Sequence, residues 1–342
     1  MQSSTSWIIF PEKQLTQKLF SGLIQGEPLK LNNSSKLFLS NARQGSNHWF
    51  RWLLGIMLIL LMWQAIGAIP FFTVCEYLQS AKIPQFQCDG KQITGDSVLP
   101  GYLLFNYSFI IGIIGVWIAV RVLHKKSLTQ VVTGRKTFDY NRVIYAIWVG
   151  LLVNAVLLVL DGLFIHTEIT FRSPSFSEYI TFFLFAIVLT TYQAGFEEVF
   201  FRGYLLQGLS LIAGNRIVVT IVSSLLFVLP HLSNPEPFEY GFAPYATSLF
   251  MFALFMTVIV LIDGGIELAI GYHALNNLWI GLIANTEVTA LQTPSLLIVP
   301  IERYAMFPDV PVQLIVYIVL LVILNKKYKW FTWKTLMTRS AK

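Results

Sequence analysis

The chain has 342 residues, a length that would suit two soluble domains, but its composition excludes a soluble protein. Hydrophobic residues make up 55% of the sequence and charged residues only 12%, whereas roughly a quarter of a soluble domain is charged. The mean hydropathy is +0.63. These values exclude a cytosolic enzyme, a coiled coil, a collagen-like protein and a disordered chain. They predict a polytopic membrane protein.

The formal net charge of +6 is also typical of nucleic-acid-binding proteins, so the placement of the basic residues matters more than their number. Lys and Arg residues lie beside apolar runs and are not densely interleaved with aromatic residues in polar segments. Membrane topology produces this distribution. The sequence therefore predicts a lipid bilayer as the partner of the chain and no nucleic acid.

Several apolar segments are long enough to be membrane spans, because about 20 apolar residues cross a bilayer. They predict an all-α polytopic membrane protein with about eight transmembrane helices. The predicted spans, in chain order, are residues 50–74, 102–123, 143–164, 179–209, 217–231, 246–262, 266–284 and 312–325.

The segments outside these spans define the expected organisation of the chain. We expect a cytoplasmic N-terminal arm at residues 1–48, a transmembrane helical domain at 49–325 and a basic C-terminal tail at 326–342. The first 48 residues contain no long apolar run, so no cleavable signal peptide is predicted. The chain shows no internal repeat and no low-complexity linker, which favours one compact helical domain.

The basic residues predict the orientation of the chain. Of the 24 Lys and Arg residues, 20 fall on one side of an eight-span topology, and the positive-inside rule makes that side cytoplasmic, together with both termini. Cys75 and Cys88 share a loop on the opposite side, where an oxidising compartment would allow one local disulfide. Two cysteines are too few for a disulfide framework or a cysteine-ligated metal site.

The fourth apolar segment carries ionisable residues in its middle, which are costly in a membrane and therefore indicate function. Glu198 and Arg202 are spaced i,i+4, so they share a helix face and can pair. Glu197 lies about 100° around the helix from Glu198 and is left without an intrahelical partner. One carboxylate can thus be neutralised structurally while the other is available for chemistry. The alternative is an ion pair that only fixes helix packing.

Two of the five histidines lie in apolar segments that follow this glutamate pair. His231 ends the fifth segment, one turn after Phe227, and His273 lies one turn before Asn277 in the seventh. Each histidine alone is more typical of a hydrogen-bonded core residue, but together with the two glutamates they indicate a site. A carboxylate and an imidazole can deprotonate a water that attacks a peptide carbonyl, while an amide and a second imidazole stabilise the oxyanion.

The position of Glu197 in its segment limits how the site can form. Glu197 follows some 18 residues of an inward-running helix, whereas His231 falls toward the outer half of its own helix. The two residues can meet near mid-membrane only if the fourth helix is long and tilted, or if it breaks near Gly195.

These motifs resemble the CPBP intramembrane protease family, which includes the type II CAAX prenyl endopeptidases and bacterial Abi-type proteins. The resemblance covers roughly residues 179–285 and depends on three motifs in order, of which each alone is weak. They are Glu197-Glu198-x-x-x-Arg202, Phe227-x-x-x-His231 and His273-x-x-x-Asn277.

The resemblance implies a CAAX-protease-like helical bundle and glutamate-dependent peptide hydrolysis inside the membrane, without a cofactor. It implies that Glu197 and His231 activate the water, and that His273 and Asn277 form the oxyanion side. Arg202 is then the partner of Glu198. The implied substrates are membrane-embedded or lipidated peptides, including leader and CAAX-type peptides.

A zinc-dependent intramembrane metalloprotease is the nearest alternative, since two glutamates and two histidines can bind a metal. The usual intramembrane metal motif, H-E-x-x-H, is absent from the sequence. We therefore expect no metal, and zinc stays open as an alternative.

Other classes have weaker support in the sequence. An aspartyl protease would need Asp161 and Asp263, which lie at span ends, where we expect helix-end residues facing water. A rhomboid-type serine protease needs a G-x-S-G loop, which Ser210, Ser223 and Ser224 lack. A transporter would predict an inverted repeat. A non-catalytic immunity or scaffold membrane protein of the same fold stays open.

Overall fold

The computed structural model describes residues 33–88, 92–164, 169–299 and 309–330. Most of the predicted N-terminal arm and most of the basic tail therefore lie outside the described residues. The described chain is dominated by helices. They are α1 (Asn33–Ser40), α2 (Trp49–Leu60), α3 (Ile69–Ser80), α4 (Leu99–Ile118), α5 (Leu128–Val132), α6 (Tyr140–Phe164), α7 (Phe176–Glu197), α8 (Leu206–Ile212), α9 (Arg216–His231), α10 (Glu236–Tyr240), α11 (Phe242–Asp263), α12 (Glu267–Leu282) and α13 (Asp309–Tyr328).

A short 3-10 helix (Asn41–Arg43), wider π-helical turns and a few short strands complete the described structure. The π-helical segments continue α2, α4 and α7, and all the strands lie in connections between helices. The π-helical segments are Leu61–Ile66, Ala119–Leu123 and Glu198–Leu205, and the strands are β1 (Phe86–Cys88), β2 (Ile93–Gly95), β3 (Thr170–Phe171), β4 (Ala284–Thr286) and β5 (Leu297–Val299).

Six helical stretches among the described residues are long and apolar enough to cross a membrane. The predicted spans at 217–231 and 266–284 are also helices, α9 and α12, but each has only 16 residues. A helix of that length extends about 24 Å, less than the roughly 30 Å of a bilayer core. The all-α polytopic membrane fold is thus confirmed, whereas the count of eight spans is not. The six stretches are Trp49–Ser80, Leu99–Leu123, Tyr140–Phe164, Phe176–Ile212, Phe242–Asp263 and Val310–Tyr328.

Helix α12 packs closely against α6 because both helices carry glycine at their contact. A Cβ atom on Gly271 would lie 2.2 Å from the carbonyl oxygen of Val143, and one on Gly150 would lie 2.6 Å from Leu275 Cδ2. Larger side chains would therefore force the two helices apart. Small residues at such contacts are typical of membrane helices. The packing fixes the position of α12, which carries His273.

The segments that the charge pattern assigns to one side of the membrane meet at one end of the molecule. Arg135, which follows α5, forms ion pairs with Asp263 Oδ2 at 2.7 Å and with Glu267 Oε2 at 3.1 Å. These pairs connect the segment after α5 to the turn between α11 and α12. Arg142 on α6 also pairs with Asp263, and Trp330 donates its indole N–H to it at 2.9 Å. The expectation that Asp263 faces water is wrong, because it is fully buried among two guanidinium groups and an indole.

The opposite end carries the short strands. The disulfide that the sequence allowed, between Cys75 and Cys88, joins α3 to β1 with a Cα–Cα distance of 5.5 Å. β1 and β2 form an antiparallel pair, while β5 lies between antiparallel β3 and parallel β4. Glu236 accepts a hydrogen bond from the backbone N–H of Ala290 at 2.8 Å, which ties α10 to the segment between β4 and β5.

Candidate active site

The predicted site residues come from three helical stretches that pack side by side. The α7 helix contacts α12, and the π-helical segment after α7 contacts α9. The residues are Glu197, Glu198 and Arg202 on the stretch that runs from α7 into the π segment, His231 at the end of α9, and His273 and Asn277 one turn apart on α12.

The fourth predicted span is one long helix. Because of its length, Glu197 lies level with His231 at the end of α9. Residues Phe176–Ile212 are continuous over 37 residues, or about 55 Å, well beyond the thickness of a bilayer core. Gly195 lies within α7 and does not break it. The π segment begins at Glu198, and such widened turns are frequent at functional sites.

The carboxylate of Glu197 faces both imidazoles. Glu197 is only 4% exposed, and its Oε2 lies 3.8 Å from His231 Nε2 and 3.8 Å from His273 Nε2. Oε2 has no hydrogen-bond partner among the described residues. Oε1 accepts a long hydrogen bond, 3.5 Å, from the side-chain amide of Gln193 one turn earlier. The expectation that Glu197 has no intrahelical partner is therefore wrong.

Glu198 is completely buried and contacts two neighbours. Its Oε1 accepts a hydrogen bond from Arg202 Nη1 at 3.0 Å, the pair that the i,i+4 spacing predicts. The same oxygen accepts a second hydrogen bond from His273 Nδ1 at 2.7 Å. The Arg202 guanidinium also lies over the ring of Phe227, 3.9 Å from its centroid, in a cation–π contact. Glu198 thus links the π-helical segment after α7 to α12 as well as pairing with Arg202.

The hydrogen bonds at Nδ1 determine which ring nitrogen of each histidine faces Glu197. His231 Nδ1 lies 2.8 Å from the carbonyl oxygen of Phe227, which can only accept, so Nδ1–H donates. His273 Nδ1–H likewise donates to the Glu198 carboxylate. Each ring therefore presents Nε2 to the same oxygen of Glu197. Contacts of this kind to Nδ1 orient imidazoles that handle protons.

Glu197, His231 and His273 line a cavity of about 670 Å³, and Asn277 lines it as well. A volume of this size is typical of sites that bind small ligands or a few residues of a peptide. Asp161 lines the same cavity and is 7% exposed, so the expectation that it faces water beyond a helix end is wrong.

Within the described ranges, no group of three or more His, Cys, Asp or Glu side chains is placed to hold a metal ion. The two cysteines are joined to each other by the disulfide between α3 and β1. A metal-free site stays a prediction, which chelation can test.

Two polar residues of the cavity were not identified from the sequence. Gln193 precedes Glu197 by one helical turn, and a lone amide in an apolar segment at that spacing is a usable signal. Glu236 follows His231 by five residues in a connection between helices, and nothing in its local sequence distinguishes it from an ordinary surface glutamate.

Comparison with known proteins agrees with the fold. Residues 179–279 match the family described as type II CAAX prenyl endopeptidase Rce1-like. The chain is also similar to an uncharacterized protein of Bacillus subtilis (strain 168), YyaK, with 23% identity over 237 residues, which are 69% of this chain and 78% of that protein. No solved structure matches the chain.

The matched range contains every predicted site residue, so the resemblance to CAAX proteases is confirmed. The chain is an integral membrane protein with an intramembrane CAAX-type protease fold.

Proposed function

We propose that the protein is a glutamate-dependent intramembrane endopeptidase that hydrolyses peptide bonds with an activated water. The observation that carries the proposal is the convergence of His231 Nε2 and His273 Nε2 on Glu197 Oε2, at 3.8 Å each, at the wall of a cavity. The zinc-dependent and non-catalytic alternatives are outcomes of the experiment below.

In this mechanism Glu197 and His231 activate the water. The Glu197 carboxylate and the Nε2 lone pair of His231 accept hydrogen bonds from it, and Glu197 takes one proton as the oxygen attacks the carbonyl carbon of the peptide. When the tetrahedral intermediate collapses and the C–N bond breaks, Glu197 returns that proton to the leaving amine. Gln193 holds the other carboxylate oxygen, which leaves Oε2 directed at the water.

His273 and Asn277 stabilise the oxyanion. The amide of Asn277 donates directly, whereas Nε2 of His273 donates only when the ring is doubly protonated, because Nδ1–H is already used by Glu198.

The substrates we propose are membrane-embedded or lipidated peptides, including leader and CAAX-type peptides, that enter from the bilayer. The lining of the cavity is mostly apolar and includes a smaller number of polar side chains. Such a lining suits an apolar peptide segment whose backbone is presented to a few polar groups.

The proposal is tested with purified protein in detergent and a panel of fluorogenic membrane peptides. Glu197→Gln should lower the cleavage rate by about two to four orders of magnitude, the usual scale for the loss of a general base. Glu76→Gln, an exposed glutamate on α3, is the matched control and should cleave normally.

A chelator separates the alternatives. Cleavage should persist in 1,10-phenanthroline. Loss of activity that zinc restores would identify the metalloprotease instead. A folded protein that cleaves no peptide in the panel would favour the non-catalytic immunity or scaffold role.

A further inference from the structure

The catalytic cavity contains a carboxylate that the proposed reaction does not use. Glu236 is the first residue of α10 and lines the cavity. Its Oε1 accepts the Ala290 N–H, while its Oε2 is buried and has no hydrogen-bond partner among the described residues. A buried carboxylate oxygen without a donor is costly, so a ligand that supplies one gains free energy.

Carboxyl groups dominate the ionisable side chains around Glu236, and the basic residues of the described lining are the histidines His231 and His273. Among the described residues that line the cavity there is no Lys or Arg, whereas Asp161, Glu197 and Glu236 all contribute carboxyl groups. The Arg202 guanidinium is fully buried against Glu198 and Phe227 and is not part of the lining. Charges in such an enclosure interact more strongly than in water, so the cavity attracts cations and repels anions.

Neutral polar groups near Glu236 add hydrogen bonds without adding positive charge. Asn234 donates its side-chain amide to the Tyr245 hydroxyl at 3.3 Å, and both residues line the cavity. Burial raises the pKa of Glu236, and hydrogen bonds from the Ala290 N–H, from its own backbone and from the Thr289 hydroxyl oppose that effect. A cationic group of a substrate would act in the same direction as the Ala290 N–H, because it favours the ionised carboxylate.

We propose that Glu236 is a specificity-determining residue that selects peptides with a Lys or Arg side chain near the scissile bond. The ammonium or guanidinium donates to Glu236 Oε2. The inference rests on the proposed function, since it assigns a substrate class to the same cavity.

The experiment uses three fluorogenic peptides that differ at one position beside the scissile bond, which is Lys, acetyl-lysine or Glu. The wild-type protein should cleave the Lys peptide with a kcat/KM about tenfold or more above that of the Glu peptide, with acetyl-lysine between them. Glu236→Gln should bring the three values close together. Its amide oxygen can still accept the Ala290 N–H, so the packing of α10 is retained.

Glu239→Gln is the matched control, because Glu239 belongs to the same short helix but is exposed and does not line the cavity. Glu239→Gln should keep the wild-type ratio of kcat/KM between the Lys peptide and the Glu peptide. Equal cleavage of the three peptides by wild-type protein overturns the inference and leaves the proposed endopeptidase intact. The inference is also overturned if Glu236→Gln leaves the ratio of kcat/KM between the Lys and Glu peptides unchanged.

A binding measurement tests this inference independently of peptide cleavage. Fluorescence anisotropy of the same peptides with the Glu197→Gln variant should show tighter binding of the Lys peptide, and the additional Glu236→Gln change should remove the difference. This result supports the inference even if no peptide is cleaved, in which case only the proposed function fails. Binding that is independent of the charge of the peptide contradicts the inference whatever the activity.

Discussion

Glu197 and Glu198 are adjacent in the sequence, but their carboxylates have different surroundings. Glu197 lines the cavity and keeps one oxygen free of hydrogen bonds from the described residues. Glu198 is fully buried and accepts from both Arg202 and His273 through one oxygen. At the residue scale, Glu198 holds two other side chains, and the carboxylate of Glu197 is the one to which the proposed function assigns the chemistry.

We predict that Glu198→Gln lowers both stability and activity. The change leaves the Arg202 guanidinium buried without its counter-charge, a loss of about 3–5 kcal/mol for buried pairs. It also weakens the hydrogen bond that orients His273. Adding Arg202→Gln should recover part of the melting temperature but little of the cleavage rate, because His273 still lacks the carboxylate. Thermal melting and cleavage assays of the single and double variants test both parts.

The Glu197→Gln variant is the comparison for this prediction. It should express and melt like the wild-type protein, since no ion pair within hydrogen-bond distance is lost. If Glu197→Gln were active while Glu198→Gln were stable but inactive, the two roles would be reversed.

At the scale of elements, the site depends on how closely α12 approaches its neighbours. The glycines at the α6–α12 contact allow α12 to lie where His273 can reach both Glu197 and Glu198. The long α7 helix ends at Glu197, and His231, the last residue of α9, approaches the Glu197 carboxylate at 3.8 Å.

We predict that Gly271→Ala displaces α12 and lowers activity. The added methyl group would overlap the backbone carbonyl oxygen of Val143, 2.2 Å from its ideal position, and a backbone atom cannot rotate away. Overpacking of this kind costs about 1–3 kcal/mol. His273 lies two residues further on, so we expect the cleavage rate to fall together with the melting temperature.

Gly162→Ala on α6 is the control for this prediction. A Cβ atom on Gly162 has no described neighbour within 4 Å, and alanine favours a helix over glycine, so stability should be unchanged or higher. If Gly271→Ala and Gly162→Ala had the same melting temperature and the same cleavage rate, the α6–α12 contact would not be tight.

At the scale of the whole molecule, the polar connections separate into two ends. Arg135, Arg142, Asp263 and Trp330 form one end, and the Cys75–Cys88 disulfide belongs to the other. This separation agrees with the distribution of basic residues along the chain. Which end faces the cytoplasm is a prediction from the positive-inside rule.

We predict that the Cys75–Cys88 disulfide lies outside the cell and both termini inside. A membrane-impermeant maleimide should label intact cells only after treatment with an impermeant reductant, because both thiols are bonded to each other. A variant with Cys75→Ser and Cys88→Ser should never be labelled. Labelling that requires lysis of the cells would reverse the orientation.

The sequence by itself determined the class of the molecule and the residue types of its site. Apolar segments of bilayer length must satisfy their backbone hydrogen bonds internally, so they predict helices wherever they occur. The spacing of Glu198 and Arg202 predicted their pair, because neighbours within one helix follow from its 3.6-residue turn. The order of the three motifs identified the protease resemblance, which the family match confirms.

Only the tertiary structure decided which of these residues meet across helices. The Glu198–His273 hydrogen bond, the two 3.8 Å approaches to Glu197 and the position of Glu236 in the cavity all join residues of different elements. The burial of Asp263 beneath two arginines is of the same kind. Such contacts depend on the rotation, the length and the closest approach of each helix, which are set by packing over the whole bundle, and spacing along one segment carries no information about them.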